Sequence, residues 1–369
     1  MSRFSRTDTS FLGQWWWTVD RHILSAICLL IILGVGLVTT ASPQVAEHLN
    51  LNSYHFLFRH LIILCPTVGL LFLCSFLDHR YLWRGATILF ATMIAALILV
   101  LLFGVEVKGA RRWIRVLGFS LQPSEFIKPA FLILSAWLLS VQKKTENFPG
   151  LILATILYVV VSGLLLLQPD LGMTFVVTFC WGVQIFLAGL RFRLLIILIL
   201  LGIGGLLGAY TAFPHVQSRV DRFLDPESGD KYQVQKSIEA FQNGGLMGTG
   251  PGQGTVKLSL PDSHADFIFS VAGEEMGLFF ALMILLIYGY IIVRGYNKLM
   301  DNQHIFAVLA GGGLLTMFGL QAFIHMGSAL NILPAKGMTL PLMSYGGSSL
   351  LSMGFCVGAI LSLTRRGKR

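Results

Sequence analysis

Long apolar runs separated by short polar connections occupy almost the whole chain. A helix needs roughly 20 predominantly apolar residues to cross the hydrocarbon layer of a membrane. About ten runs approach or reach that length: Ile23–Ser42, His55–Phe76, Ala86–Phe103, Phe126–Val141, Leu151–Leu167, Leu171–Leu190, Phe192–Phe213, Phe267–Val293, Ile305–Leu330 and Pro341–Leu363. The pattern predicts an all-α polytopic membrane protein of about ten transmembrane helices.

The only long connection between these runs covers residues 214–265. Loops of such length are usually functional or disordered. Apolar residues recur through this one with helical spacing from Tyr232 to Phe241, which predicts a large folded loop on the extracytoplasmic face. We therefore divide the chain into an N-terminal segment with an interfacial tryptophan anchor (1–22), helices one to seven (23–213), the loop (214–265), helices eight to ten (266–363) and a basic tail (364–369).

Composition agrees with a membrane protein. Of the 369 residues 55% are hydrophobic and 12% are charged, whereas soluble domains carry about 25% charged residues. The net charge of +9 is scattered in short clusters between apolar runs, so no nucleic-acid surface is expected. With both termini in the cytoplasm, fifteen of the 27 basic residues lie inside, a mild bias in the expected direction. The five cysteines have no metal-binding or redox spacing.

Basic residues crowd the connection between the third and fourth runs, against that topological preference. They are Lys108, Arg111, Arg112 and Arg115, and their position suggests that something anionic is held there. Glu125 and Lys128 follow at the start of the fourth run. They either form a local i, i+3 pair or place Lys128 in a cavity with the arginines, where several fixed donors could bind a diphosphate.

Asp266 lies where the long loop enters the eighth run. With Ser263 it matches the helix-start pattern [ST]-x-x-[DE], so spacing alone favours a helix cap. A carboxylate at the rim of a partly dry cavity can also act as a general base. His264 beside it could orient a substrate or titrate near neutrality, although a lone histidine is more often structural.

For the other candidate positions, a structural role is considered before a functional one. Glu274 and Glu275 are expected mainly to be inter-helix partners, with a proton pathway as the minor alternative. Glycines in 244–254 lack nucleotide-loop spacing and let the backbone bend or approach a ligand closely. Residues 168–172 predict a tight turn. The small residues of 344–349 favour helix packing, and Lys336 before them is a candidate anion contact.

Several motifs together resemble one family. GARRWI (109–114), QPSE (122–125), QPDLG (168–172), HADFIF (264–269) and SYGGSS (344–349) occur in order along the chain, and the set resembles the SEDS family (shape, elongation, division and sporulation). The stretch LPAKGMTLPLMSYGGSSL (333–350) is more similar to the division branch, FtsW, than to the elongation branch, RodA.

The resemblance implies a peptidoglycan glycosyltransferase that polymerises lipid II into β-1,4 glycan strands at the bacterial inner membrane, at the division septum. It also implies a class B penicillin-binding transpeptidase and other division proteins as partners. Asp266 then corresponds to the family's essential carboxylate, although the family pattern HTDFIF with PE upstream is replaced here by Ala265 and Asp262. The expected substrate-binding residues are Arg111, Arg112, Arg115, Glu125, Lys128, His264, Lys336 and Ser344.

No cofactor is certain, and a divalent cation (Mg or Mn) is left open. Asp262, four residues before Asp266, is the one further carboxylate at ligand spacing beside it. Two other functions are compatible with these features. A transporter that flips the same lipid would use intramembrane charges and broken helices, and a noncatalytic scaffold would only recruit the transpeptidase.

Overall fold

The computed structural model describes residues 10–107, 110–116, 119–189, 231–333 and 337–365, with a few single positions between 200 and 221. The helices within these ranges are α1 (Phe11–Thr18), α2 (Arg21–His48), α3 (His55–Phe76), α4 (His79–Phe103), α5 (Pro123–Gln142), α6 (Gly150–Leu167), α7 (Leu171–Leu187), α8 (Lys231–Gly244), α9 (Ile268–Met300), α10 (Ile305–Ala329) and α11 (Gly347–Leu363), with a 3₁₀ turn at Val256–Ser259.

Seven of the described helices are long and apolar enough to cross a membrane, namely α2, α3, α4, α5, α6, α9 and α10. The apolar helices α7 and α11 have 17 residues each and fall just short. The predicted span Phe192–Phe213 lies almost entirely outside the described residues. The prediction of a helical multi-pass membrane protein is confirmed, whereas the count of ten spans and the domain boundaries stay predictions.

Helices α5 and α10 form the centre of the bundle. Their apolar windows are 83% and 72% buried, against 22–39% for the other long spans. Gln184 on α7 joins the two, because its Nε2 donates to the carbonyls of Leu132 (2.7 Å) and Leu309 (3.2 Å). A Cβ at Gly313 would lie 2.5 Å from that nitrogen. The helices therefore approach closely through a small residue and a buried amide, as is common between transmembrane helices.

A three-stranded antiparallel sheet, which the all-α prediction did not include, follows α4. Strand β2 (Ala110–Val116) pairs with β1 (Val105–Val107) and with β3 (Phe119–Leu121). β-branched and aromatic residues are frequent in the segment, which suits strands. Each strand has three to seven residues, which is too short for period-two alternation to stand out beside long apolar runs.

Residues 231–267, which we call the cap, are folded as predicted for this part of the loop. The glycine-rich segment lies against α9 where the helix is interrupted at Gly277, with φ 81° and ψ −179°. There the N–H of Gly250 donates to the carbonyl of Glu275 (2.9 Å) and the N–H of Leu278 donates to the carbonyl of Gly245 (3.0 Å). The glycines thus let the backbone bend and approach this helix closely, and the close approach to a ligand that the sequence also allowed stays a prediction.

Candidate active site

Asp266 lies on a turn between the 3₁₀ segment and α9. The N–H groups of Ala265 and Asp266 both donate to the carbonyl of Asp262 at 2.9 Å. Helix α9 begins at Ile268, and its N-cap residue makes no side-chain cap hydrogen bond. The Ser263 hydroxyl contacts the carbonyl of Ala41 on α2 at 3.4 Å instead. Ser263 is therefore not the cap of α9, because the turn directs its hydroxyl to another helix.

The carboxylate of Asp266 is half-buried and faces the backbone of Gly337. Gly337 has φ +59°, and a Cβ there would lie 3.3 Å from Oδ2 of Asp266. The next residue is tied to α10, because the ring Nδ1 of His325 lies 2.7 Å from the carbonyl oxygen of Met338. The two motifs that contain Asp266 and Gly337, far apart in sequence, thus form one site.

His264 is buried in an aromatic cluster that joins the same two motifs. Its ring lies 4.6 Å from that of Phe56 and 4.9 Å from that of Tyr345, and its carbonyl accepts the N–H of Tyr345 at 3.0 Å. Burial lowers the pKa of His264 to about 4, with Asp262 opposing the shift. The imidazole is therefore neutral at pH 7 and serves to position the turn.

His60 on α3 extends this cluster below Tyr345, at a ring separation of 6.2 Å. It is 1% exposed. Neither ring nitrogen of His60 has a hydrogen-bond partner in the described part of the chain, and the same holds for Nδ1 of His264. Buried polar atoms without partners are uncommon, and these lie within the cluster that holds the Asp266 turn.

Ser344 closes the turn before α11. Its hydroxyl accepts the N–H of Leu340 at 2.8 Å, and the side chain is 2% exposed. The neighbouring serines pack the helix start, since Ser348 Oγ accepts the N–H of Gln122 at 2.9 Å and donates to the carbonyl of Ser120 at 3.2 Å. The packing interpretation of the small residues therefore agrees with the structure.

Glu125 and Lys128 form the predicted local pair. Nζ of Lys128 lies 2.9 Å from Oε2 of Glu125 and 3.0 Å from Sδ of Met173. Lys128 is 0% exposed and Glu125 is 5% exposed. The alternative, in which Lys128 enters an open cavity with the arginines, does not match this geometry, because α7 and α11 enclose the pair.

Arg112 reaches the turn that precedes α7. Its guanidinium donates to the carbonyls of Gln168 (3.2 Å) and Pro169 (2.5 Å) and lies 3.7 Å from the carboxylate of Asp170. Asp170 also caps α7 by accepting the N–H of Met173 at 3.3 Å. Arg112 keeps 22% of its side chain exposed. The tight turn is confirmed, and Arg112, one of the predicted anion contacts, is bound to it.

Three predicted anion contacts remain. Arg111 is exposed, and its backbone is in register with that of Glu106 in β1. The backbone of Arg115 pairs with Ser120 in β3. Lys336 lies outside the described residues, directly before Gly337.

Glu274 and Glu275 were expected to join helices, and this interpretation is only partly right. Glu274 binds backbone and side-chain groups of the cap, and Glu275 binds Lys257 of the 3₁₀ turn. Lys257 in turn contacts α2, so the link between helices passes through the cap.

Sequence reasoning missed Gly337, His60, Tyr345 and Lys257. Gly337 stands in a Lys-Gly-Met-Thr segment between two prolines, where a glycine often marks a left-handed conformation. The others carry no local signal, because their importance comes from tertiary contacts. No group of three metal-ligating side chains occurs in the described ranges, and Asp262 is exposed while Asp266 is half-buried.

Comparison with known proteins agrees with this arrangement. Residues 21–369 match the family model of FtsW, RodA and SpoVE, described as cell cycle proteins. The chain is 40% identical over 364 residues to a probable peptidoglycan glycosyltransferase FtsW of Caulobacter vibrioides, covering 98% of this chain and 93% of that one. It is 36% identical to the corresponding protein of Pseudoalteromonas translucida, with 90% and 87% covered.

Solved structures share the fold. A chain from a peptidoglycan synthase complex that coordinates polymerisation and crosslinking aligns with a TM-score of 0.78 at 30% identity, covering 95% of this chain and 98% of that one. The rod-shape-determining protein RodA of Thermus thermophilus aligns with a TM-score of 0.69 at 28% identity, covering 95% and 97%. The match over nearly the full length, together with the FtsW names of the similar sequences, assigns this chain to the SEDS family of cell cycle proteins, in its FtsW branch.

Proposed function

We propose that this protein is a peptidoglycan glycosyltransferase that polymerises lipid II during septal wall synthesis, with Asp266 as its general base. The observation that best supports the proposal is the environment of the Asp266 carboxylate. It is a half-buried carboxylate on a fixed turn, with the Gly337 backbone on one side and the His264 cluster beside it. The names of the similar FtsW proteins supply the substrate class.

In the proposed reaction, Asp266 takes the proton from the 4-hydroxyl of the acceptor sugar as that oxygen attacks the anomeric carbon of the donor. The new C–O bond forms while the bond to the lipid diphosphate breaks. The diphosphate leaves with the electron pair, and an α-linkage becomes a β-1,4 linkage. A positioned general base commonly contributes roughly 10² to 10⁴ in rate.

Cationic groups would stabilise the leaving diphosphate more than the ground state, because its charge grows in the transition state. Arg112 is the best supported candidate, since its guanidinium is fixed by three acceptors and still partly exposed. Arg111, Arg115 and Lys336 are further candidates. Lys128, being enclosed with Glu125, is not assigned a substrate contact.

The partner of this chain is proposed to be a class B penicillin-binding transpeptidase, with other division proteins around it. The peptidoglycan synthase complex among the similar structures supports a partner of this kind. Both termini are proposed to be cytoplasmic, which puts the cap and Asp266 at the outer leaflet, where lipid II would enter.

The deciding experiment is polymerisation of labelled lipid II by purified protein, alone and with the transpeptidase, resolved on a glycan gel. Asp266→Asn should abolish glycan while leaving the protein folded. Asp262→Asn is the matched control, because Asp262 is exposed with φ +53° and asparagine tolerates that conformation. Glycan production by Asp266→Asn would refute the assignment. Parallel reactions with EDTA, Mg²⁺ or Mn²⁺ test the divalent cation.

The interruption of α9 at Gly277 is the one observation that favours a flippase, since discontinuous helices are typical of transporters. Here the interruption is satisfied by hydrogen bonds to the cap. A flippase would move labelled lipid between leaflets of a vesicle and make no glycan, so the two functions are separated by their product. A scaffold would tolerate neutralisation of single outward charges.

A further inference from the structure

Three charged residues are buried beneath the turn that carries Asp266. Lys257 is 6% exposed, and Glu274 and Glu275 are both 0% exposed. Nζ of Lys257 pairs with Oε1 of Glu275 and donates to the carbonyl of Thr40 on α2 at 2.9 Å. Burial of charges is unfavourable unless they are paired and hydrogen-bonded. We call Lys257, Glu274 and Glu275 the charge lock.

Glu274 fixes the backbone of the segment that precedes the Asp266 turn in the chain. Its Oε1 accepts the N–H groups of Thr255 (2.8 Å) and Val256 (2.7 Å) and the side-chain amide of Asn243 (2.8 Å). Its Oε2 accepts the N–H of Lys257 at 2.8 Å. Four donors to one carboxylate make a strong anchor, because hydrogen bonds to charged groups are short and strong.

These contacts close residues 255–274 into a loop with Asp266 inside it. The side chain of Glu274 holds one end of the loop, and the helix that begins at Ile268 holds the other. The loop is also docked on α2, since Gln44 Nε2 donates to the carbonyl of Leu258 at 3.1 Å and Ser263 contacts Ala41. The hydrogen bonds that residues 257, 258 and 263 make to α2 therefore lie between the clamped end of the loop and Asp266.

We propose that the charge lock positions Asp266 for catalysis. It holds the loop against α2 and α9 so that the carboxylate stays beside Gly337. Lys257, Glu274 and Glu275 touch no reacting atom in this scheme and act through the backbone. The inference rests on the proposed function, because it assigns a task to residues that support the same site.

The fact that the residues of the charge lock are charged rather than apolar supports a positioning role. Well-packed apolar residues of similar volume often replace buried ion pairs without loss of stability, so a fold alone does not require this cluster. Hydrogen bonds to a carboxylate are directional, whereas apolar contacts are not. A displacement of about 1 Å at a catalytic group can cost roughly 10²-fold in rate, which is the scale on which the lock would act.

The test compares lipid II polymerisation by wild type, Lys257→Met and the double variant Lys257→Met/Glu275→Leu. The double variant removes both members of the Lys257–Glu275 ion pair and leaves Glu274 with its four hydrogen-bond donors, so it keeps the test usable where the single variant folds poorly. We expect kcat to fall at least about tenfold with KM nearly unchanged in folded protein, and Lys257→Arg to restore part of the loss. Lys236→Met is the matched control, because Lys236 forms a partly exposed pair with Glu239 in the same cap.

Hydrogen exchange of amides 262–267 supplies a readout that does not depend on activity. We expect faster exchange there in both lock variants and no change in Lys236→Met. Wild-type kcat in a folded double variant, or unchanged exchange in these amides, would overturn the inference. Absence of glycan from wild type under every partner condition would count against the proposed function, and exchange alone would then decide whether the lock holds the turn.

Discussion

The Glu125–Lys128 pair gives a sharp test of whether a buried cation serves the fold or the substrate. Lys128 is 0% exposed, and its Nζ lies 2.9 Å from Glu125. Removal of one member of such a pair leaves an uncompensated buried charge, which costs about 3–5 kcal/mol. Replacement of both by apolar residues of similar volume is often neutral or stabilising. A purely structural pair therefore predicts strong coupling between the two substitutions.

The magnitude is large for a single site, because domain stabilities are typically about 5–15 kcal/mol. A change of 1 kcal/mol shifts the unfolding midpoint of chains of 150–250 residues by roughly 2–4 °C. With an unfolding entropy of about 2.1 cal/mol/K per residue, the shift is smaller for the 369 residues of this chain, so we expect Lys128→Met to lower the midpoint by roughly 4–6 °C and Glu125→Leu/Lys128→Met to return most of that loss.

Thermal unfolding in detergent can be followed with a thiol-reactive dye, because Cys74, Cys180 and Cys356 are buried free thiols. Lys236→Met, in a partly exposed pair, again serves as the control, with an expected change below about 0.5 kcal/mol. The reasoning fails if Lys128→Met has the wild-type midpoint but makes no glycan. That combination would assign Lys128 to the lipid diphosphate, as the sequence alternative proposed.

Two further predictions use the same dye assay. Burial holds the pKa of His264 at about 4, below the unfolded value of 6.5. Between these two pH values the unfolded state binds a proton that the folded state does not. Stability therefore falls as pH drops from 6.5 to 4, by up to about 1.4 kcal/mol per pH unit. His264→Phe should show a shallower fall between pH 7.5 and pH 5, and an identical fall would contradict the assignment. Gly277→Ala should destabilise by about 1–3 kcal/mol for its positive φ alone, with added strain because the new Cβ would lie 2.4 Å from the backbone of Gly248. Gly289→Ala on the same helix meets nothing within 4 Å and should be neutral or slightly stabilising; equal midpoints for the two variants would refute this account.

Apolar run length predicted the long helices of the described ranges well, because a membrane imposes the same minimum on every crossing. The turn at 168–170 was also predictable, since a proline and a capping aspartate act locally. The sheet at Val105–Leu121 was not, because its strands are stabilised by pairing between segments rather than by a pattern within each one.

In the candidate site, too, features with a local sequence signal were predictable, and features that depend on tertiary contacts were not. Asp266 could be selected from its motif, but its neighbour Gly337 follows two further helices along the chain. The partner of the Lys128 side chain could not be predicted either, because i, i+3 spacing allows both an ion pair with Glu125 and a cation free to bind a ligand. Only the packing of α7 and α11 around it decides between them.

The interruption at Gly277 has a consequence for bilayers of different thickness. A transmembrane helix adapts to a thicker or thinner bilayer largely by changing its tilt. In an unbroken helix that tilt would displace residues at its end. Here the helix is interrupted at Gly277, and the cap is bonded to both sides of the interruption: to the carbonyls of Glu274 and Glu275 before it and to the N–H groups of Leu278 and Phe279 after it. The glycine therefore provides a point of bending, and a change in the tilt of residues 278–300 would reach the turn of Asp266 through the cap.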